Sequence, residues 1–172
     1  MNKEILFKAK RKDNGEWVEG SLVHCEDVDE SCKAIIIPKT GAEMYEGIEG
    51  VCEDDLGFEK WYKVNRNTLC QYTGLTDKNG NKIWENDILI CHANEYDLER
   101  VVFGEFNVID TETLEVVDRV IGWHTEVIKT DALSECEPFC LPMPLTDYYI
   151  KKGEVEVLGN IFDNADLLEV EE

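Results

Sequence analysis

The sequence has little positive charge. Its 172 residues include 17 Lys and Arg against 38 Asp and Glu, which gives a formal net charge of −21 at pH 7. Nucleic-acid phosphates and anionic membranes are normally bound by clusters of Lys and Arg. The densest basic stretch, residues 8–12, is soon followed by acidic residues. The composition therefore disfavours direct binding to nucleic acid or to a membrane. It favours either a solubilising surface or one that docks on a basic partner protein.

Long apolar runs are also missing. No run approaches the roughly 18 residues that a membrane-spanning helix requires. The N-terminal residues 1–15 lack the apolar stretch of about 7–15 residues that a signal peptide contains. We therefore expect a cytoplasmic protein whose seven cysteines are reduced thiols.

No two cysteines have the Cys-x-x-Cys spacing, which structural zinc sites usually contain twice. Free cysteine is commonly a small buried hydrophobe. We therefore expect buried or incidental thiols, with no bound metal and no cofactor. A metal site stays open as the alternative. The residues that come nearest to a ligand pattern are Cys136 with Cys140, His24 with Cys25, and Cys91 with His92.

The sequence contains no recognisable catalytic constellation. The three histidines, His24, His92 and His124, have no adjacent nucleophile in a known motif. The carboxylates are too numerous for an acid–base pair to be assigned. We expect a protein that is not an enzyme.

Four tryptophans offer a different kind of site. Aromatic side chains can line a groove that binds a peptide, as they do in SH3-type barrels. Large aromatic side chains more often belong to a β-barrel core, and we favour that interpretation. The four are Trp17, Trp61, Trp84 and Trp123.

Short β-prone segments separated by turn residues dominate the chain, and helical periodicity is almost absent. This pattern predicts a mostly β protein built as a barrel or roll. The Asn-Gly pairs at 14–15 and 79–80 favour type I′ hairpin turns, because both central residues of such a turn need positive φ. Long loops are predicted over 39–58 and 131–147, and a helical turn over 164–169 with Asn164 as its N-cap. The predicted strands are 5–10, 17–23, 32–37, 61–64, 68–72, 83–90, 100–109, 115–123 and 155–162.

The most regular stretch is QYTGLTDKNGNKIWENDIL, residues 71–89. Asp77, Asn79 and Asn81 alternate like the first three ligands of an EF-hand loop. The sixth and twelfth positions, which should be Gly and Glu, are Lys82 and Ile88, so a calcium loop is disfavoured. A phosphate loop is disfavoured as well, because no Gly-Lys-Ser/Thr opens a helix.

A hairpin accounts for more of this stretch. Residues 68–72 form the incoming strand and 83–90 the outgoing one, with Asn79 and Gly80 at the tip. Asn86 and Asp87 mark a second bend, since Asn tolerates the left-handed region better than any residue except Gly.

The same stretch resembles a known family. Residues 72–88, YTGLTDKNGNKIWENDI, resemble the signature "YTGLkDknGkeIyegDiv" of the YopX family of phage and prophage proteins. Residues 7–9 with 17–20 are similar to its "FRAw…W.eG", and residues 157–168 to its "viGNiyenpeLl". Asn86 and Trp84 stand where the family usually has Gly and Tyr. The signature residues are Gly74, Asp77, Asn79, Gly80, Trp84 and Asp87 in the hairpin, and Gly159 and Asn160 in the second motif.

The resemblance implies an SH3-like β-barrel or roll with long loops and a short C-terminal helical turn. It implies one YopX-like domain over 1–172, or a β-rich part, 1–66, packed on a barrel, 67–172. It also implies an origin in phage or prophage DNA, and self-association into a homo-oligomer. It implies no catalytic residue, because the family has no established activity.

We therefore expect an accessory protein of unknown biochemical role in the cytoplasm of a bacterial host. It would be a non-catalytic module that binds an unidentified protein partner or assembles with itself. Two alternatives stay open. One is an acidic inhibitor or mimic that docks on a basic, nucleic-acid-binding host protein. The other is a Cys/His metal protein or enzyme.

Overall fold

Strands dominate the described part of the chain. The computed structural model describes residues 4–24, 26, 29, 33–42, 44–46, 56–110, 112–132 and 134–168. The chain divides into two compact units, 1–72 and 73–172. Within the described residues the strands form antiparallel sheets, with one α-helix and no closed barrel. The prediction of a mostly β protein is confirmed. No helix in the described ranges is long and apolar enough to cross a bilayer.

The first unit is built on one antiparallel sheet. Its central hairpin pairs Phe7 with Gly20 and Lys10 with Trp17. A third and a sixth strand follow on one side, and the first residues of a seventh pair with the opposite edge. The strands of this sheet in the first unit are β1 (Phe7–Lys10), β2 (Trp17–His24), β3 (Ala34–Pro38), β6 (Tyr62–Lys63) and β7 (Cys70–Thr76), and only the first residues of β7 lie in this unit. Between β3 and β6 in the chain, β4 (Met44–Glu46) and β5 (Leu56–Phe58) form a separate two-stranded sheet.

The core of this unit follows the period of two that a pleated strand imposes. Ala34 and Ile36 are buried at alternate positions of β3, and they pack with Ala9 and Val64. Gly20 allows β2 and β3 to approach, because a Cβ at this position would lie 1.9 Å from the carbonyl oxygen of Ile37. The glycine of the N-terminal motif therefore has a packing role.

The first hairpin closes differently from the prediction. The N–H of Arg11 donates to the carbonyl of Glu16 (2.9 Å), and the N–H of Gly15 donates to the carbonyl of Arg11 (3.0 Å). This is a four-residue loop, in which Gly15 has positive φ and Asn14 does not. The predicted type I′ turn at 14–15 is therefore wrong, because four-residue loops place only their last residue in the left-handed region here.

The second unit contains a five-stranded antiparallel sheet. Its strands, in spatial order, are Met143–Pro144, Val116–Val127, Leu98–Ile109, Asp87–Ile90 and Glu156–Asn160. Its largest buried cluster includes Ile83, Leu89, Val101 and Val155. Each of these side chains is fully buried. The remaining elements are β8 (Lys82–Trp84), β9 (Asp87–Ile90), β10 (Leu98–Ile109), β11 (Val116–Val127), β12 (Met143–Pro144), α1 (Asp147–Lys152) and β13 (Glu156–Asn160), and 3₁₀ turns cover Arg66–Thr68 and Ala165–Leu168.

Two predicted loops need correction, and one helix is missing from the prediction. The predicted loop 39–58 contains β4 and β5, which pair with each other; its acidic residues 53–55 lie outside the described residues. The predicted loop 131–147 contains β12. The helix α1 was not predicted, because six residues are too few to show a helical period. It begins at the N-cap Thr146, whose hydroxyl accepts from the N–H of Tyr149 (3.1 Å).

The C-terminal helical turn is present as the 3₁₀ turn Ala165–Leu168. The side chain of Asn164 does not act as the predicted helix cap. Its Oδ1 accepts instead from the N–H of Asn160, at 3.2 Å. The asparagine therefore fastens β13 to the turn that follows it.

Strands β10 and β11 are twelve residues each and extend beyond their neighbours. Strand β9 pairs with β10 only over Leu98–Arg100, and β12 pairs with β11 only at His124 and Thr125. Residues 101–109 and 116–123 consequently form a two-stranded ribbon, which we call the outer ribbon.

Candidate functional site

The predicted signature hairpin forms around the carboxylate of Asp77. Its Oδ1 accepts from the N–H groups of Asn79 (2.9 Å) and Asn81 (2.8 Å). Its Oδ2 accepts from the side-chain amide of Asn81 (3.0 Å) and from the N–H of Val157 (3.1 Å). A carboxylate offers about four acceptor sites. The carboxylate of Asp77 therefore links the hairpin to β13 through hydrogen bonds. None of its acceptor sites is left for a cation.

The same contacts shift the acidity of this residue. Burial by itself would raise the pKa of Asp77, but the hydrogen bonds from Val157, Asn81 and Asn79 outweigh it and lower the pKa below the ordinary value. Hydrogen bonds of this kind favour the charged form of a carboxylate. Asp77 is therefore ionised in the folded protein.

The tip of this hairpin is a three-residue loop. The N–H of Asp77 donates to the carbonyl of Asn81 (2.8 Å), and the N–H of Gly80 donates to the carbonyl of Asp77 (3.0 Å). Gly80 has φ of 86°, whereas Asn79 does not have positive φ. The predicted type I′ turn is wrong at this position too, because a three-residue loop needs only one left-handed residue.

The second bend of the signature is confirmed. Asn86 has φ of 63°, which explains why the family's usual Gly can be replaced by Asn here. The carboxylate of the buried Asp87 accepts from the N–H of the buried Trp84, at 2.8 Å. The chain then leaves β8 and enters β9. The residue Gly74 also has positive φ, 88°.

The second signature motif closes the C-terminal end of the sheet. Asn160 pairs with Asp87 across β13 and β9, and its Oδ1 accepts from the N–H groups of Phe162 and Asp163. A Cβ on Gly159 would lie 2.0 Å from Oδ1 of Asn164. The signature residues are thus engaged in building turns and in joining β8, β9 and β13.

A different cluster of side chains includes a buried oxygen atom that has no hydrogen-bond partner among the described residues. It lies where the chain turns from β9 to β10, and the N–H of Cys91 donates to the carbonyl of Asp97 (3.0 Å) at the base of the loop. The Sγ of Cys91 and one carboxylate oxygen each of Asp97 and Glu99 lie within 4.8 Å of one another. We call these three residues the thiol–carboxylate cluster.

Two further side chains hold the cluster in place. The hydroxyl of Tyr149 donates to Oε1 of Glu99 (2.5 Å) and lies 3.9 Å from the Sγ of Cys91. The Nδ1 of His92 lies 2.8 Å from Oδ2 of Asp97. Glu99 is 4% exposed, and within the described residues its Oε2 has no hydrogen-bond partner.

Burial controls the acidity of this cluster. It raises the pKa of Glu99, although the hydrogen bond from Tyr149 acts in the opposite direction. Burial, with the neighbouring carboxylates Glu99 and Asp97, also raises the pKa of Cys91. Removal from water disfavours the charged form of either group.

The loop beside the cluster has an uncommon backbone. His92 and Ala93 have φ of 55° and 53°, and the N–H of Asn94 donates to the carbonyl of Cys91 (3.0 Å). Two central residues with positive φ are the mark of a type I′ turn, which usually takes Asn or Gly. A cavity of about 220 Å³ adjoins it, lined by residues that include His92, Asp97 and Phe139.

Sequence reasoning found Cys91 and His92 but missed the carboxylates. The strand was predicted to begin at residue 100, and it begins at Leu98. An earlier start would have placed Glu99 on the same face as the buried Val101, because strand residues two apart share a face. The missed residues of the cluster and its surroundings are Asp97, Glu99 and Tyr149.

The outer ribbon exposes apolar side chains. Phe103 pairs with Trp123 and Glu105 pairs with Ile121, so Phe103 and Ile121 lie on one face. Phe103 is 53% exposed and Ile121 is 72% exposed. The ring centroids of Phe103 and Trp123 are 5.0 Å apart in an edge-to-face contact. At the far end of the ribbon, Val116 and Val117 are exposed as well. Val116 and Val117 are consecutive strand residues and point to opposite faces, so we call only Phe103 and Ile121 the apolar strip.

Among the described residues, the remaining predicted candidates do not gather into a metal site. Cys136 is exposed, and its S–H group donates a hydrogen bond to the carbonyl of Ala132 (3.1 Å). In the described ranges, only the thiol–carboxylate cluster groups three residues of metal-ligating type. Cys70, Cys91, Cys136 and Cys140 are not in disulfide bonds, whereas Cys25, Cys32 and Cys52 lie outside the described residues.

The other histidines and the tryptophans differ in burial, and among the described residues the buried Nε1 of Trp123 has no hydrogen-bond partner. His124 is buried and stacks on Phe106, with ring centroids 4.6 Å apart. His24 lies at the end of β2, 3.3 Å from Glu26. Of the tryptophans, Trp84 is buried, as predicted for a core residue, whereas Trp61 is exposed, so the prediction of a core position is wrong for Trp61.

Comparisons with known proteins add the following. The model of the family described as "YopX protein" matches residues 6–169. The crystal structure of protein EF1440 from Enterococcus faecalis is similar in fold, with a TM-score of 0.50 and 20% identity. That alignment covers 98% of this chain and 100% of the other. A comparison with curated proteins found no significant match.

Proposed function

The chain belongs to the YopX protein family, and from the apolar strip on its outer ribbon we propose that it is a non-catalytic protein-binding module. Clustered exposed apolar side chains are typical of interaction surfaces. Ile121, at 72% exposure, is the single observation that carries the proposal most directly. It lies at the centre of a ribbon face on which Phe103 is also exposed.

The partner that this surface fits is a basic protein. Residues 98–127 contain seven Asp and Glu against two Arg, within a chain of net charge −21. Opposite charge accelerates encounter and suppresses wrong partners. Two copies of this chain would repel each other across the same surface. Charge complementarity therefore favours a basic partner over a second copy.

The ribbon also suggests how a partner would bind. Over residues 101–109 and 116–123, β10 and β11 pair with each other along one edge. Apart from the pairings at the base of the ribbon, the other edge of each strand has no strand partner among the described residues. An extended segment of a partner can add to such an edge through main-chain hydrogen bonds, while pockets between exposed side chains supply specificity. Phe103 and Ile121 would contact the side chains of that segment.

Several finer expectations belong to the same proposal. The module would be a phage or prophage accessory protein acting in the cytoplasm of a bacterial host, with an SH3-like architecture. A homo-oligomer is the rival use of the apolar strip. An acidic mimic that inhibits a nucleic-acid-binding host protein is one specific form of the proposal, since such proteins are basic.

A photo-crosslinking residue at position 121 tests the proposal. The crosslinked partner is identified, purified and titrated against wild type, Ile121→Ser and Tyr148→Ser. Tyr148, on α1, is 75% exposed and serves as the matched control. We expect at least tenfold weaker binding for Ile121→Ser, no change for Tyr148→Ser, and association that slows as salt rises. Crosslinks only to a second copy, or equal affinity of both variants, would refute the proposal.

A further inference from the structure

The thiol–carboxylate cluster has the composition of a metal site. Cys91 offers a sulfur ligand, and Asp97 and Glu99 each offer a carboxylate oxygen, with the three ligand atoms within 4.8 Å of one another. Zinc and similar divalent transition metals bind combinations of thiolate and carboxylate. We propose that Cys91, Asp97 and Glu99 bind one divalent transition-metal ion of the zinc class.

An independent observation indicates a missing partner at this position. Glu99 is 4% exposed, and no described residue bonds its Oε2. Buried polar atoms are almost always paired, because leaving one unpaired costs the full price of its desolvation. The carboxylate that carries this atom is the one that groups with Cys91 and Asp97. A cation bound to Oε2 would supply the partner that the protein itself does not.

The other oxygen atoms of the two carboxylates are already oriented. Tyr149 holds Oε1 of Glu99 at 2.5 Å, and His92 holds Oδ2 of Asp97 at 2.8 Å. Metal-binding carboxylates are commonly held in this way by hydrogen bonds from outside the ligand set. His92 and Tyr149 are therefore positioning residues, each of which holds one of the two carboxylates through a hydrogen bond.

The distances require only a modest rearrangement. Metal–ligand bonds of about 2.0–2.3 Å in a tetrahedron place ligand atoms roughly 3.3–3.8 Å apart. The three ligand atoms, which lie within 4.8 Å of one another, must then close by at most about 1–1.5 Å. Asp97 can supply this movement, because its side chain is 34% exposed and it lies at the end of a loop beside the cavity. The fourth position would be filled by water.

Binding is balanced by loss of a proton. A metal–sulfur bond forms, the S–H bond of Cys91 breaks, and its proton passes to the buffer, together with any proton that the carboxyl group of Glu99 carries before the metal–oxygen bond forms. No electron is transferred. The ion would join the end of β9 to the start of β10 and so clasp the loop that contains His92 and Ala93. This role is structural, and it is separate from the protein-binding surface on the outer ribbon.

Cobalt(II) is a suitable probe, because a cobalt–thiolate bond gives a charge-transfer absorption that carboxylate ligands do not. Tag-free protein in reducing buffer is titrated with Co²⁺ and then with Zn²⁺. We expect one equivalent of Co²⁺ to produce the thiolate band and Zn²⁺ to remove it. Cys91→Ser should abolish the band. Cys70→Ser, which changes another buried thiol, should keep it.

A second variant makes the test independent of how well Cys91→Ser folds. Glu99→Gln keeps the shape of the side chain and the thiol, and it should weaken cobalt binding at least about tenfold. Near-ultraviolet circular dichroism checks that each variant is folded. The proposal is overturned if wild type gives no thiolate band, if folded Cys91→Ser retains it, or if Glu99→Gln binds cobalt as tightly as wild type.

Discussion

Two turns in the second unit each have a buried acidic side chain in or beside them, and the two carboxyl groups differ in their hydrogen bonding and in the direction of their pKa shifts. At the signature turn, Asp77 accepts four hydrogen bonds, and its pKa is lowered. Next to the turn between β9 and β10, Glu99 has an unpartnered oxygen among the described residues, and its pKa is raised. Both side chains are buried, but desolvation acts far more strongly on the pKa of Glu99, whereas hydrogen bonds outweigh it at Asp77. The difference therefore lies in the depth of burial as well as in the donors that the fold supplies.

This contrast distinguishes residues that build the fold from residues that are proposed to bind a ligand. The signature residues are consumed by the hydrogen bonds that build the hairpin and attach it to β13. The thiol–carboxylate cluster, in a part of the sequence with no signature, keeps ligand atoms available. A short motif that identifies a family can therefore mark a structural joint, while the chemistry lies elsewhere in the chain.

Removal of the Asp77 carboxylate should give the largest effect. Asp77→Ala leaves the N–H groups of Asn79, Asn81 and Val157 without their acceptor, and we expect a loss of about 3–5 kcal/mol in the free energy of unfolding. Denaturant titration measures it. Asp166→Ala, at an exposed position, is the control and should change stability by less than about 0.5 kcal/mol. Equal effects of the two variants would contradict the role given to Asp77.

Crowding at the second signature motif should have the next largest effect. Gly159→Ala places a Cβ 2.0 Å from Oδ1 of Asn164, and we expect a loss of about 1–3 kcal/mol. Gly122→Ala, where a Cβ meets no atom within 4 Å, is the matched control. Adding Asn164→Ala to Gly159→Ala should recover part of the loss, as a double-mutant cycle measures. Independent, additive effects would show that the two residues do not clash.

Acid titration should expose the ionised state of Asp77. A carboxyl group with a lowered folded-state pKa stabilises the protein above its unfolded pKa, about 3.9 for Asp. That stabilisation is lost as pH falls through the folded-state pKa. The stability difference between wild type and Asp77→Asn should therefore be constant near neutrality and shrink below about pH 4. Measurement of unfolding free energy against pH tests this, and a difference that grows with acidity would contradict it.

The smallest predicted effect on stability concerns one of two hairpin loops that share the same backbone hydrogen-bond pattern. Asp110 and Glu115 close a four-residue loop as Arg11 and Glu16 do, but its left-handed residue is Leu114, with φ of 59°. Leu114→Gly should stabilise the protein by about 0.5–1 kcal/mol, since glycine adopts this conformation without strain. Leu114→Ala keeps the strain and should give no such gain. A melting-temperature comparison of the two variants decides the point.

Local sequence signals predicted much of this fold. Alternating apolar residues located most strands, and Asn86 was correctly expected in the left-handed region. Turn geometry was less accessible: Asn79–Gly80 favours a type I′ turn, yet the carboxylate of Asp77 draws the chain into a three-residue loop. The turn with two left-handed residues forms instead at His92–Ala93, where local preference opposes it and the surrounding structure imposes it.

The cluster could not be assembled from sequence. Tyr149 lies 50 residues from Glu99 along the chain, and it reaches the cluster from α1, which is too short to predict. Cys91 and His92 were recognised as possible ligands, but their carboxylate partners depend on where β10 begins. The register of that strand comes from pairing with β9 and β11, which is a property of the folded sheet.

Native mass spectrometry of the tag-free protein with zinc tests the central contrast most directly. Wild type, Asp77→Asn and Cys91→Ser are compared under reducing conditions, each after its fold has been checked. The account predicts one zinc per chain for wild type and Asp77→Asn, and none for Cys91→Ser. Zinc retained by Cys91→Ser and lost by Asp77→Asn would show that the signature turn, and not the thiol–carboxylate cluster, holds the ion.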